Sequence, residues 1–345
     1  MTGTAFLDDL AALVALDTVS PIDTGRLAAC GAELARHGCR PVRPGLFGYG
    51  DPGARTWLYS HVDTKPPTPL EEWASDPFTL RVEPDRWLGL GVSDAKFQLL
   101  NALTAADPAR HFVLIDTCEE YDGDGAAADF LAEHRPQTLV ICDGAKDGCD
   151  IYAGHMGQVD GEFLLDTGQQ PRHPARRAGD VAGRLAALLA DLARPGPICT
   201  ITGLAAPATE RSLSLQQATV KFDLRYGAGD EAIVRALLDR HPHHLRQWMH
   251  PVTGLQPETE GTGGPAASAS RLGVRGPLDV RRVLVVPGAD PDNRNHQPEE
   301  FIRPGQVDRH LRTLRRVLAS LEEEARPATV RPGHRPARCE ESEST

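Results

Sequence analysis

Three short apolar runs constrain this chain more than anything else in it: residues 57–59, 112–115 and 139–142. Each is too short for a helix and rich in aromatic, β-branched or leucine side chains, so each reads as a buried strand. A helical pattern at 96–106 separates the first two. Strands alternating with helices imply a mostly parallel sheet covered on both faces, an α/β fold. Thr4 can cap a helix whose apolar face is Phe6, Leu10, Leu13 and Val14. A second helix is expected over 25–37. The strand 283–286 and a helix over 307–321, with Val307, Leu311, Leu314, Leu318 and Leu321 inward, complete the pattern.

The chain has 345 residues, too many for one compact core. Its character shifts near residue 155. A strand over 161–165, a helix over 178–192, a strand over 219–226 and a helix over 231–240 form a strand-helix-strand-helix unit. In the second strand Val220, Phe222, Leu224 and Tyr226 alternate with Lys221, Asp223 and Arg225, which marks a sheet with one solvated face. The expected organisation is a catalytic domain in two parts, 1–154 and 251–325, around a smaller α+β domain, 155–250. The Pro-, Arg- and Glu-rich segment 326–345 is expected to be disordered. No apolar run is long enough to span a membrane, and no N-terminal signal peptide is recognisable. A formal charge of -11 argues against nucleic acid or an anionic membrane as partner and suits cations. Seven cysteines without a Cys-x-x-Cys pair indicate neither a disulfide framework nor a zinc knuckle, so a reducing cytoplasm is expected.

Ligands of open parallel sheets gather at the carboxyl ends of the strands. His61, Glu119, Glu120 and Asp143 each lie just past one of the apolar runs. Asp63, two residues after His61, can hold the second imidazole nitrogen and fix which one is left for a metal. A glycine-rich turn over 89–96 delivers Asp94 ahead of a helix, either as an N-cap or as a carboxylate able to bridge two metal ions about 3.5–4 Å apart. Of the adjacent Glu119 and Glu120, one can bind metal while the other faces substrate; solvated surface charge is the alternative. Asp143, beside a buried strand, wants a partner. His296, in the loop 293–298, completes a mixed nitrogen and oxygen set that suits zinc, with cobalt or manganese as alternatives. Two metals sharing Asp94 would have His61 and Asp143 on one, Glu120 and His296 on the other. The histidine run 241–244 lacks nearby acids and reads as a solvated loop.

His61-Val62-Asp63, the segment 73–78, the glycine-rich pattern ending at Lys96, Glu119-Glu120 and the segment 296–300 occur in the order seen in the dinuclear zinc aminoacylase and carboxypeptidase family. The chain resembles this family up to about Leu321, most of all acetylornithine deacetylase and succinyl-diaminopimelate desuccinylase. The resemblance implies that His61, Asp94, Glu120, Asp143 and His296 hold two divalent metal ions, that Asp63 orients His61 and that Glu119 is the general base. It implies that the inserted domain is a lid through which the chain dimerises, that His173 reaches a neighbouring subunit's site and steadies an oxyanion, and that Arg225 meets a substrate carboxylate. A polar loop residue is the alternative for His173, and an ion pair with Asp223 the alternative for Arg225. The implied reaction is hydrolysis of the amide bond of an N-acyl amino acid by metal-activated water. Alternatives are a di- or tripeptidase or carboxypeptidase of the same family, and a catalytically silent binding member. The chain departs from the family pattern at Lys65, where an apolar residue is usual, and at Cys118, where aspartate is common. Asp143 is the shorter acid, as in several di- and tripeptidases, and no asparagine stands in the region 209–212.

Overall fold

A computed structural model describes residues 3–121, 126–146, 149–166, 181–193, 197–205, 217–255, 262–266, 272 and 278–325. The chain opens with α1 (Thr4–Val14), which buries Leu10, Leu13 and Val14, and α2 (Thr24–Arg36), whose N-cap Asp23 accepts from the Gly25 and Arg26 amides. Thr4 is the first helical residue and not the cap; Gly3 holds that position without a side-chain bond.

Then follow β1 (Arg40–Arg43), β2 (Leu46–Gly50), β3 (Thr56–His61), β4 (Arg81–Val82), β5 (Trp87–Leu88), α3 (Phe97–Ala105), β6 (His111–Asp116), α4 (Ala126–His134) and β7 (Thr138–Ile141). After β7 come β8 (Gly157–Asp166), α5 (Val181–Leu192), β9 (Ile198–Ala205), β10 (Gln217–Tyr226), α6 (Glu231–Arg240) and β11 (His243–Met249). β12 (Arg282–Val285), β13 (Phe301–Ile302) and α7 (Pro304–Ala325) close the described chain.

The main sheet runs β1-β2-β6-β3-β7-β12. β6, β3, β7 and β12 are parallel, with the β1-β2 hairpin antiparallel at one edge. Alternate residues of its strands feed two cores. Leu58, Val113, Ile115 and Val140 pack under α1, α2, α3 and α7, whereas Trp57, Tyr59, Phe112, Leu114, Leu139 and Ile141 pack on the other face with Phe130 and Leu131 of α4. Burial on both faces is why these strands read as unbroken apolar runs.

A second sheet, β11-β8-β10-β9, is wholly antiparallel and comes from the chain between β7 and β12, neighbours in the main sheet. Val159, Phe163, Val220, Phe222 and Leu224 pack against Val181 and Leu188 of α5 and Val234, Leu237 and Leu238 of α6. The unit therefore has four strands, not the two that the alternation shows. His243 and His244 open β11 and are not a loop, and His241 has an acid beside it: its Nε2 lies 3.0 Å from Asp191 Oδ2. Among the described residues no helix is long and apolar enough to cross a membrane.

Candidate metal centre

Parallel pairing aligns the carboxyl ends of β3, β6, β7 and β12 at one rim of the main sheet. His61 ends β3, Glu119 and Glu120 follow β6, and Asp143 follows β7. Asp94 comes from the turn before α3, and His296 from the loop between β12 and β13. Asp94 is not an N-cap; Lys96 precedes α3 and makes no side-chain cap bond.

Without Glu119, these side chains form two overlapping groups, His61-Asp94-Asp143 and Asp94-Glu120-His296, whose ligand atoms within each group lie within 4.8 Å of one another. His61 Nε2 is 3.2 Å from Asp94 Oδ1 and 3.6 Å from Asp143 Oδ1. His296 Nε2 is 3.2 Å from Asp94 Oδ2 and 2.6 Å from Glu120 Oε1. Asp94 thus turns one oxygen to each group, the arrangement a bridging carboxylate needs. The donor set fits divalent cations electrostatically as well. Burial opposes the charged forms of His61 and His296, yet the carboxylates drive both imidazoles above their usual range, His296 up to about 11. A field that pulls protons onto two imidazoles is one that cations satisfy.

Asp63 organises the near side of the centre. His61 Nδ1 lies 3.1 Å from the main-chain oxygen of Asp63 and 3.4 Å from its carboxylate Oδ1, which leaves Nε2 facing Asp94 and Asp143. The same carboxylate accepts the main-chain amides of Glu119 at 3.1 Å and Glu120 at 2.8 Å and the Ser20 hydroxyl at 2.5 Å. One buried acid therefore sets an imidazole and the strand exit that carries both glutamates. Glu119 is 8% exposed, and burial pushes its carboxyl up to about 8.

Glu300 organises the far side, a part that sequence reasoning missed. Its buried carboxylate accepts from the amides of Gly91, Ser93 and Asp94, which ties the Asp94 turn to the segment carrying His296. Burial raises this carboxyl to about 7 against those three donors. Glu299 grips the 71–82 region instead, accepting from the Ala74 amide at 2.9 Å and pairing with Arg81 at 2.5 Å. In sequence the two glutamates look like surface charge; the signal that separates them is the apolar Phe301-Ile302 strand that follows directly. Asn295 donates to Asp94 Oδ2 at 3.3 Å, and Lys65 reaches Glu120, two further contacts that spacing alone does not show.

Arg225 lies on β10, where its guanidinium pairs with Asp223 at 2.8 Å, the alternative left open from sequence. His173 and the region 209–212 lie outside the described residues.

Residues 57–320 match the model of a family described as Peptidase family M20/M25/M40. A succinyl-diaminopimelate desuccinylase of Xanthomonas euvesicatoria pv. vesicatoria is 28% identical over 269 residues, spanning 66% of this chain and 71% of that protein. Among solved structures, an M20 family metallo-carboxypeptidase from Sulfolobus solfataricus superposes with a TM-score of 0.63 at 15% identity, covering 92% of this chain and 99% of its own. The aminopeptidase PepT of Bacillus cereus superposes with a TM-score of 0.65 at 12% identity, covering 93% and 98%.

Proposed function

The chain belongs to Peptidase family M20/M25/M40 and is a metal-dependent hydrolase; from that premise we propose that it cleaves the amide bond of an N-acyl amino acid. The observation that carries this reading is the pair of donor groups sharing Asp94, with Glu119 buried beside them. His61, Asp94 and Asp143 would hold one divalent ion, zinc foremost, and Asp94, Glu120 and His296 the other. Bound there, such ions supply Lewis acidity towards water and towards an acyl oxygen.

The chain's own residues do the rest. Asp63 keeps His61 Nδ1 occupied, so Nε2 is the nitrogen offered to the centre. Asp63 also pins the main chain of Glu119, which fixes where that carboxylate can swing. Glu119 is a carboxylate, and so a base, once positive charge sits beside it. It takes a proton from the attacking water and passes it to the nitrogen of the departing amine. Its largely buried position limits stray proton exchange with bulk water. Dimerisation through the inserted unit, a contribution from His173 and a substrate contact by Arg225 belong to the same proposal.

A second reading, a di- or tripeptidase, is favoured by one residue, Asp143, the shorter acid at that ligand position. A single experiment separates the two. Protein loaded with zinc, cobalt or manganese is assayed on a panel of N-acyl amino acids and unblocked dipeptides, with metal content measured alongside. Turnover of acylated substrates supports the first reading, and turnover restricted to free dipeptides supports the second. No turnover by protein holding two ions per chain would leave the silent binding member.

A further inference from the structure

Lys65 follows β3 by four residues and reaches into the metal centre. Its Nζ lies 3.3 Å from Glu120 Oε2 and also donates to the Glu120 main-chain carbonyl. Both contacts fall on one residue, and that residue already gives its other oxygen, Oε1, to His296 at 2.6 Å. The Lys65 side chain is 33% exposed while that of Glu120 is 6% exposed, so the ammonium sits between the buried donor set and solvent.

A carboxylate committed to a divalent ion has little attraction left for an ammonium, and the ion itself repels one. The Glu120 contact that balances Lys65 is therefore the one that loading the centre weakens most. A half-buried cation deprived of its partner is costly, and a second anion in the same place restores the balance. Resting on the N-acyl amino acid reading above, we propose that Lys65 is a specificity-determining residue that receives a carboxylate of the substrate. The substrate class is then an amide carrying a carboxylate within reach of the scissile bond, on the acyl half or on the amino-acid half. Lys65 acts by binding and not in proton transfer, so its removal should be felt by charged substrates far more than by their uncharged counterparts.

The test uses the full chain loaded with zinc and the amino acid best accepted in the panel above. Four derivatives are compared: N-succinyl and N-butanoyl, each with the amino-acid carboxylate free or as the carboxamide. Lys65→Met should lower kcat/KM for one charged member about 10- to 100-fold relative to its uncharged counterpart, chiefly through KM, the size expected for losing one charge-assisted hydrogen bond. Which pair responds identifies the half of the substrate that is held. Lys65→Arg should restore part of the ratio, and zinc per chain, measured by atomic emission, should match wild type in both variants. Ratios unchanged by Lys65→Met overturn the proposal. So does an equal loss on all four substrates accompanied by lost zinc, which would make Lys65 a prop for Glu120. If wild type cleaves none of the four, the N-acyl amino acid reading fails and takes this assignment with it.

Discussion

Glu119→Gln separates chemistry from metal binding. The amide keeps the shape of the side chain and the main-chain bond to Asp63, yet cannot accept a proton. Turnover should fall by about 10²- to 10⁴-fold, the range for a lost general base, with bound metal nearly unchanged. His61→Ala or Asp94→Ala should do the reverse and strip metal, because each removes a donor from at least one group and Asp94 serves both. Activity assays paired with metal analysis check all three; metal lost from Glu119→Gln, or kept in full by the other two, would reassign these residues. The sequence carries three of the proposed ligands, His61, Glu120 and Asp143, as polar residues stranded at the ends of apolar runs. It does not carry Ser20, whose hydroxyl meets Asp63 across 43 residues of chain, and it tells Glu300 from Glu299 only through the apolar strand that follows them. Those roles depend on which side chain turns inward after the loops have closed.

The turn over 89–96 shows what local structure contributes. Gly91 has φ +71°, and a Cβ there would stand 2.4 Å from Thr64 Cγ2 and 3.1 Å from the Lys96 chain. A left-handed backbone with no space beside it is a site for glycine alone. Gly91→Ala should cost about 1–3 kcal/mol of stability in urea unfolding and weaken metal binding with it, since the Gly91 amide is one of three held by Glu300. Stability lost without any change in metal affinity would show that the Asp94 turn is set independently of that clamp. The elements that sequence reading passed over share a physical cause. β9 is a sheet edge with Ile198, Ile201 and Leu204 exposed, so no alternation marks it. β2 carries Gly48 and Gly50 in five residues. α4 is only 9 residues long and offers its core two alanines beside Phe130 and Leu131. By contrast β10, with one face buried along 10 residues, was legible nearly to its ends.

Across the whole molecule, the order of the parallel strands is what brings the proposed ligands, distant in sequence, to one rim. Strand existence was readable, but the order β6-β3-β7-β12 was not, because nothing local selects a strand's neighbours. The helices over that sheet are locked by contacts equally invisible in the sequence, and His310 on α7 is the clearest. Its Nε2 lies 3.0 Å from the Val286 carbonyl, which only an N–H can satisfy. Nδ1 must then be the acceptor for the Asn101 amide at 3.1 Å, from α3. A proton on Nδ1 would set two donors face to face in the core, and burial lowers this imidazole to about 3. The folded value thus lies below the unfolded value of about 6.5. Above pH 6.5 neither state carries the proton, and the contribution to stability is complete. As pH falls from 6.5 towards 3, the unfolded chain takes up a proton that the folded chain refuses, so stability is lost at about 1.4 kcal/mol per pH unit, near 2 kcal/mol by pH 5. Other buried groups titrate in the same range, so the difference between two proteins isolates this one. His310→Gln can keep both hydrogen bonds and has no proton to gain. It should be the less stable protein at pH 7.5 through imperfect packing, with the gap closing or reversing by pH 5 when both are unfolded in urea. A gap of equal size at the two pH values would mean that His310 is not held neutral, and that the junction of α3, α7 and β12 tolerates a charge its geometry should reject.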